Sequence, residues 1–153
     1  MRESVIPFNI PTHLSRRTTS EVLNQYLHGQ VEEDQCDHLV KKLFGSHAFL
    51  TKSCTHSLEV IAKLIGFNGA EEVIMPAYAF PSLATAFITA GAKLVFADSG
   101  LNHPNVDVHE IERLITPKTK ALVVLHYGGC ACDMEKIQGL TRKHNIILVE
   151  DAA

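Results

Sequence analysis

The feature that most constrains how this chain can fold is a rhythm of short apolar runs separated by helical patterns. The runs are HAFLT (47–51), EVIMP (72–76), KLVFAD (93–98), ALVVLHY (121–127) and NIILVED (145–151). Each is β-branched, bounded by turn residues and apolar on successive positions, as a strand covered on both faces must be. Five strands of a largely parallel sheet are therefore expected.

Between the runs, apolar residues recur at helical spacing: Leu58, Ile61 and Ile65; Leu83 and Phe87; Val108, Ile111 and Ile115; Met134, Ile137 and Thr141. Each set shares one helix face, so each pair of strands has its crossover. Boundary residues agree with this division. Asp107 followed by Glu110 has capping-box spacing, Gly45 and Gly91 stand where helices end, and Pro117 stops the third crossover. The fold class is α/β. Residues 1–45 read differently, as two helices (PTHLSRRTTSEVLNQYLHG and EEDQCDHLVKKLFG) joined by a short acidic turn, an N-terminal arm ahead of a sheet region over 46–153.

Composition narrows the function classes. A chain of 153 residues with 46% hydrophobic and 20% charged residues can bury one core. A net charge of -3, with Arg16, Arg17, Lys41 and Lys42 in isolated pairs, offers no basic stripe for nucleic acid. No run approaches the roughly 20 apolar residues of a membrane helix. The start MRESVIPFNIP breaks any signal-peptide core with a carboxylate and a proline, so a cytoplasmic protein is expected. Cys36, Cys54, Cys130 and Cys132 are then reduced thiols rather than a disulfide framework.

In open parallel sheets ligands bind beyond the C-terminal strand ends, where crossover helices begin. Three motifs fall there. SCTHSLE (53–59) opens a helix with hydroxyls and backbone N–H groups, which suits an anion, although Ser53 or Thr55 can equally be a simple N-cap. VED (149–151) leaves Glu150 and Asp151 at a strand end, with Asp151 the better candidate to reach into the crevice. A carboxylate there can hold a metal, bind a ribose hydroxyl or pair with a protonated heterocycle nitrogen. Tyr78 and Phe80 in MPAYAFPS (75–82) place rings before Pro81, either over a flat ligand or packed on their own domain. His126, Cys130 and Cys132 offer soft ligands, but no second pair follows at a usual zinc spacing, and a metal or thiol site ranks last.

Taken together, TKSCTHSLEVIAKLI, EEVIMPAYAFPSLATAFITAGAKLVFAD, ITPKTKALVVLHYGGCACDMEKI and HNIILVEDAA resemble, in order and at near-constant spacing, the DegT/StrS-type family of pyridoxal-phosphate-dependent nucleotide-sugar aminotransferases. Within it the chain is most similar to the dTDP-4-amino-4,6-dideoxygalactose transaminases. The likeness runs from about Gly45 to Ala153, with a weaker trace in IPFNIP (6–11). It implies the N-terminal part of the fold type I large domain, with pyridoxal 5'-phosphate as cofactor. It also implies an amino acid, glutamate, as donor, a keto nucleotide sugar as acceptor, and a homodimer.

By the same resemblance Thr55 and His56 hold the cofactor phosphate, Phe80 stacks on the pyridine and Asp151 pairs with its nitrogen. His56 stands where the family more often has a small residue, and it either crowds the phosphate or gives it another donor. The Gly-rich loop of the family is shortened to LHGQVEED (27–34), whose carboxylates oppose a nucleotide diphosphate. The resemblance places the Schiff-base lysine beyond Asp151, and Lys52 and Lys120 flank strands at wrong or exposed ends. On that reading the chain has no catalytic lysine, binds the cofactor weakly or not at all, and is inactive alone. The competing reading is a non-catalytic partial domain that binds a partner chain or a phosphate ligand.

Overall fold

The computed structural model describes Asn24, Leu27, His28, residues 40–44 and residues 47–153. The chain divides into two compact units, Met1–Leu50 and Thr51–Ala153. In the first, Asn24, Leu27 and residues 40–44 are helical. The rest of the expected arm, with Arg16, Arg17, Cys36, Gly45 and most of LHGQVEED, lies outside the described residues.

The second unit alternates helix and strand throughout: α1 (Cys54–Ile65), β1 (Glu72–Pro76), α2 (Pro81–Thr89), β2 (Lys93–Ala97), α3 (Val108–Leu114), β3 (Thr119–Leu125), a 3-10 turn (Tyr127–Gly129), α4 (Met134–His144) and β4 (Ile147–Asp151). The strands form one sheet in the order β2-β1-β3-β4, and every pair is parallel. Four strands stand where five were expected. Residues 48–51 of the HAFLT run form no ladder, and Phe49 and Leu50 are exposed. A strand exists only through its pairing, and this run has no partner among the described strands.

Both faces of the sheet are covered, which is why the strand runs are apolar on successive residues. On one face Val73, Met75, Ala121, Val123 and Val149 pack with Leu58 and Ala62 of α1 and Leu83, Ala86 and Phe87 of α2. On the other, Ile74, Leu122 and Val124 pack with Ile111 of α3 and Ile137 of α4. Of the expected helix faces, Leu58, Leu83, Phe87, Ile111, Ile137 and Thr141 are buried, while Ile61, Ile65, Val108, Ile115 and Met134 lie partly buried against the same clusters.

Local signals explain the boundaries. Pro81 starts α2, where a missing N–H costs nothing. Gly91 follows the end of α2 with φ +89°, a conformation that a side chain strains. Asp107 caps α3 by accepting the His109 N–H at 2.9 Å. Glu110 does not reach back as a capping box would, and is held by Arg113 instead. No helix among the described residues is long and apolar enough to cross a membrane.

Candidate functional site at the C-terminal edge of the sheet

Helix α1 runs antiparallel to the strands. Near its N-terminus, Cys54 touches Asp151 at the C-terminal end of β4, and at its other end the Gly66 carbonyl accepts from Lys120 near the start of β3. The positive end of its dipole is therefore delivered to the edge where ligands bind in such sheets. Ser53 is the N-cap: its Oγ accepts the His56 N–H at 3.2 Å and its carbonyl accepts from Ser57. Thr51 braces the cap, with its Oγ1 2.9 Å from the Ser53 carbonyl and 2.6 Å from Ser57 Oγ. The N–H groups of Cys54 and Thr55 have no acceptor among the described residues, leaving two donors aimed outward from the first turn. Thr55 is partly buried and His56 exposed. Capping and anion binding, which the sequence left as alternatives, are divided here: Ser53 caps, and Thr55 remains available.

Asp151 reaches this helix because of strand parity. Val149 is buried on the α1 and α2 face, and the period of two places Asp151 on that same face and Glu150 on the opposite one. Asp151 Oδ1 accepts from the Cys54 thiol at 3.6 Å and from the Ala153 N–H at 3.1 Å. Partial burial raises the Cys54 pKa, and the Asp151 charge and hydrogen bond raise it further. Glu150 meets His126 Nε2 at 3.4 Å.

The two aromatic candidates separate. Tyr78 stacks on Tyr127, with centroids 5.0 Å apart and planes 28° from parallel, and their hydroxyls lie 3.1 Å apart. Phe80 is 60% exposed at the N-cap of α2, with no ring partner among the described residues. It is the ring left free to cover a flat ligand. The sequence reading did not single out Tyr127, whose only signal was the YGG turn after an apolar strand.

Of the remaining candidates, His126 and Cys132 are engaged with each other and with the backbone. His126 Nδ1 accepts the Cys132 N–H at 3.2 Å, and the Cys132 thiol donates to the Leu125 carbonyl at 3.3 Å. Burial pushes the Cys132 thiol pKa up. Among the described residues no three His, Cys, Asp or Glu side chains gather as a metal requires. Lys120 is tied to Gly66 and Glu71 and lies over the Phe67 ring, away from Asp151. A groove of about 710 Å³ lies between the β2–α3 and β3–α4 loops, but none of Thr55, His56, Phe80 or Asp151 lines it. The candidate residues instead share an open sheet edge.

The chain belongs to the DegT/DnrJ/EryC1/StrS aminotransferase family, whose profile matches residues 14–153. It is 32% identical to the spore coat polysaccharide biosynthesis protein SpsC of Bacillus subtilis (strain 168), over 99% of this chain and 40% of that protein. Among solved structures, DesI, determined in the presence of its TDP-sugar product, superposes with a TM-score of 0.75 at 30% identity, over 91% of this chain and 37% of DesI. NtdA from Bacillus subtilis, with bound cofactor PMP (pyridoxamine phosphate), superposes with a TM-score of 0.56 at 30% identity, over 62% of this chain and 21% of NtdA. The chain thus spans well under half the length of these relatives.

Proposed function

We propose that residues 51–153 form the phosphate- and ring-binding part of a pyridoxal-phosphate site, in an aminotransferase that moves an amino group from glutamate to a keto nucleotide sugar. The observation that carries this reading is the meeting of the α1 N-terminus with the Asp151 carboxylate at one sheet edge, where Phe80 also stands with its ring unpartnered. The residues fit the group: two outward N–H donors suit a phosphate, an open ring suits a planar heterocycle, and a carboxylate suits a protonated nitrogen. Membership of the family, the PMP bound to NtdA and the TDP-sugar product present with DesI support the same chemistry. The resemblance to dTDP-4-amino-4,6-dideoxygalactose transaminases favours a sugar substrate and a homodimer.

In this assignment Cys54 and Thr55 hold phosphate oxygens through backbone N–H groups, and the Thr55 hydroxyl adds a donor. His56, exposed beside them, contributes a further contact rather than a wall. Phe80 covers one face of the pyridine and excludes water from it. Asp151 keeps a proton on the ring nitrogen, since a carboxylate favours the charged partner. When bound, the cofactor supplies the electron-withdrawing ring on which transamination depends. None of the nine lysines is assigned a covalent role.

The test is titration with pyridoxamine 5'-phosphate, which carries no aldehyde and so does not react with surface lysines. Weak, saturable binding is expected, reduced by Asp151→Asn and competed by inorganic phosphate. A chain that binds it no better than a Thr55→Val, Asp151→Asn double variant refutes the reading.

A further inference from the structure

We infer that Tyr78 and Tyr127 form a clasp across the crevice between β1 and β3, fixing the loop that carries Phe80 relative to the strand end that carries Asp151. The inference rests on the proposed cofactor site and assigns both tyrosines as positioning residues for it.

The topology creates the need for such a clasp. β1 and β3 are neighbours, yet the chain leaves β1 toward β2 and leaves β3 toward β4, so the two loops diverge. Paired residues between β1 and β3 end at Ile74 and Leu122. Beyond them each loop base is tied to its outer neighbour: the Ala77 N–H donates to Ala97 of β2, and the His126 N–H donates to Asp151 of β4, both at 2.9 Å. The tyrosines then meet across the opening, four residues past Ile74 and five past Leu122, through both a ring stack and a hydroxyl contact.

The two halves are not equivalent. Tyr127 is anchored from behind by the buried Asn105, whose Oδ1 accepts the Tyr127 N–H at 3.0 Å while its Nδ2 donates to the Cys130 carbonyl at 2.9 Å. Gly128 and Gly129 follow with φ +61° and +80°, turning the chain back sharply and leaving the ring at the edge. Tyr127 also directly follows His126, the residue bonded to the Asp151 carbonyl. Tyr78 has no such support, is 56% exposed, and stands two residues before Phe80. Neither ring belongs to a core cluster, so the contact is poorly explained as packing. It does transmit the position of a fixed turn to the loop that bears the free ring.

The experiment uses the chain with Tyr127→Phe, which keeps the stack and removes the hydroxyl contact, and Tyr127→Ala, which removes both. Pyridoxamine 5'-phosphate affinity and its induced circular dichroism are measured, alone and combined with Phe80→Ala, alongside amide exchange over residues 78–83. Tyr127→Phe should weaken binding about threefold to tenfold, the range of one modest hydrogen bond. Tyr127→Ala should weaken it further, reduce the induced dichroism and speed amide exchange over residues 78–83. Phe80→Ala should then cost less affinity in the Tyr127→Ala background than in the unaltered chain. Equal costs in both backgrounds, or unchanged exchange over residues 78–83, overturn the clasp. If the unaltered chain binds no pyridoxamine 5'-phosphate, the cofactor reading fails, and the exchange measurement alone decides the clasp.

Discussion

Replacing Asp151 with Asn should make Cys54 a faster nucleophile, and the size of the effect follows from one contact. The Cys54 thiol donates to Asp151 Oδ1 at 3.6 Å, so ionising the thiol sets a thiolate against a carboxylate and also breaks that hydrogen bond. Two unit charges about 4 Å apart interact by about 1 kcal/mol at the dielectric of water. Cys54 is exposed, so the water limit applies rather than an interior value. Asp151→Asn should then increase the thiolate population about fivefold at a pH below the titration of Cys54, and alkylation by iodoacetamide should follow the thiolate. Mass-spectrometric mapping of each cysteine separates Cys54 from the exposed Cys130 and the buried Cys132. The two chains should converge at high pH, where Cys54 is ionised in both, and the difference should shrink at 1 M salt. A rate gain of the same size at every pH would indicate access rather than charge, and no gain at all would mean that the carboxylate does not face the thiol. The sign for stability follows from the raised Cys54 pKa. The contribution is present below the ordinary thiol range and lost as pH rises through the folded value. Alkaline destabilisation should therefore be smaller in Asp151→Asn.

Phe87→Ala should lower unfolding stability by about 3–5 kcal/mol in urea titration, because its ring is fully buried and packs edge-on to Phe67, whereas Ile88→Ala, at a mostly exposed position next to it, should stay within about 0.5 kcal/mol. The purified chain should self-associate in sedimentation experiments and Ile147→Lys should reduce this, since β4 pairs only with β3 among the described strands and Ile147 is exposed on it; a monodisperse monomer would contradict the prediction.

Much of the fold was legible because it follows from periodicity. The runs at 72–76, 93–98, 121–127 and 145–151 contain strands, since burial on both faces leaves an apolar signature within a few residues. The run at 47–51 has the same composition and forms none, because pairing is set by distant chain and leaves no local mark. The places of Thr55, Phe80 and Asp151 at element ends were legible, while their roles in the proposed site came from the resemblance and not from local pattern. The contact between Cys54 and Asp151 joins residues 97 positions apart, and no local pattern encodes it. Asn105 was hidden among the polar residues of LNHPNVD; nothing in that stretch distinguishes it from Asn102, yet Asn105 alone is buried and braces the turn after β3. Tyr127 was hidden for the related reason that its partner lies on another loop.

The site depends on the core through parity more than through any single contact. Asp151 faces α1 because Val149 is buried on that face, and Val149 is held there by its register with Val123 of β3. A slip of one residue in β4 would turn Asp151 toward α4 and bring Glu150 to the α1 side. Glu150 would then lose His126, and Cys54 would meet a side chain one methylene longer. The same parity sets the other strand end at the crevice, since Leu125 pairs with Asp151 and so fixes where His126 and then Tyr127 leave the sheet. Substitutions at Val123 and Val149 that keep volume but weaken the choice of face should therefore disturb the edge chemistry before they unfold the unit. Residues far from any ligand would then be as necessary to the proposed site as Thr55 or Phe80.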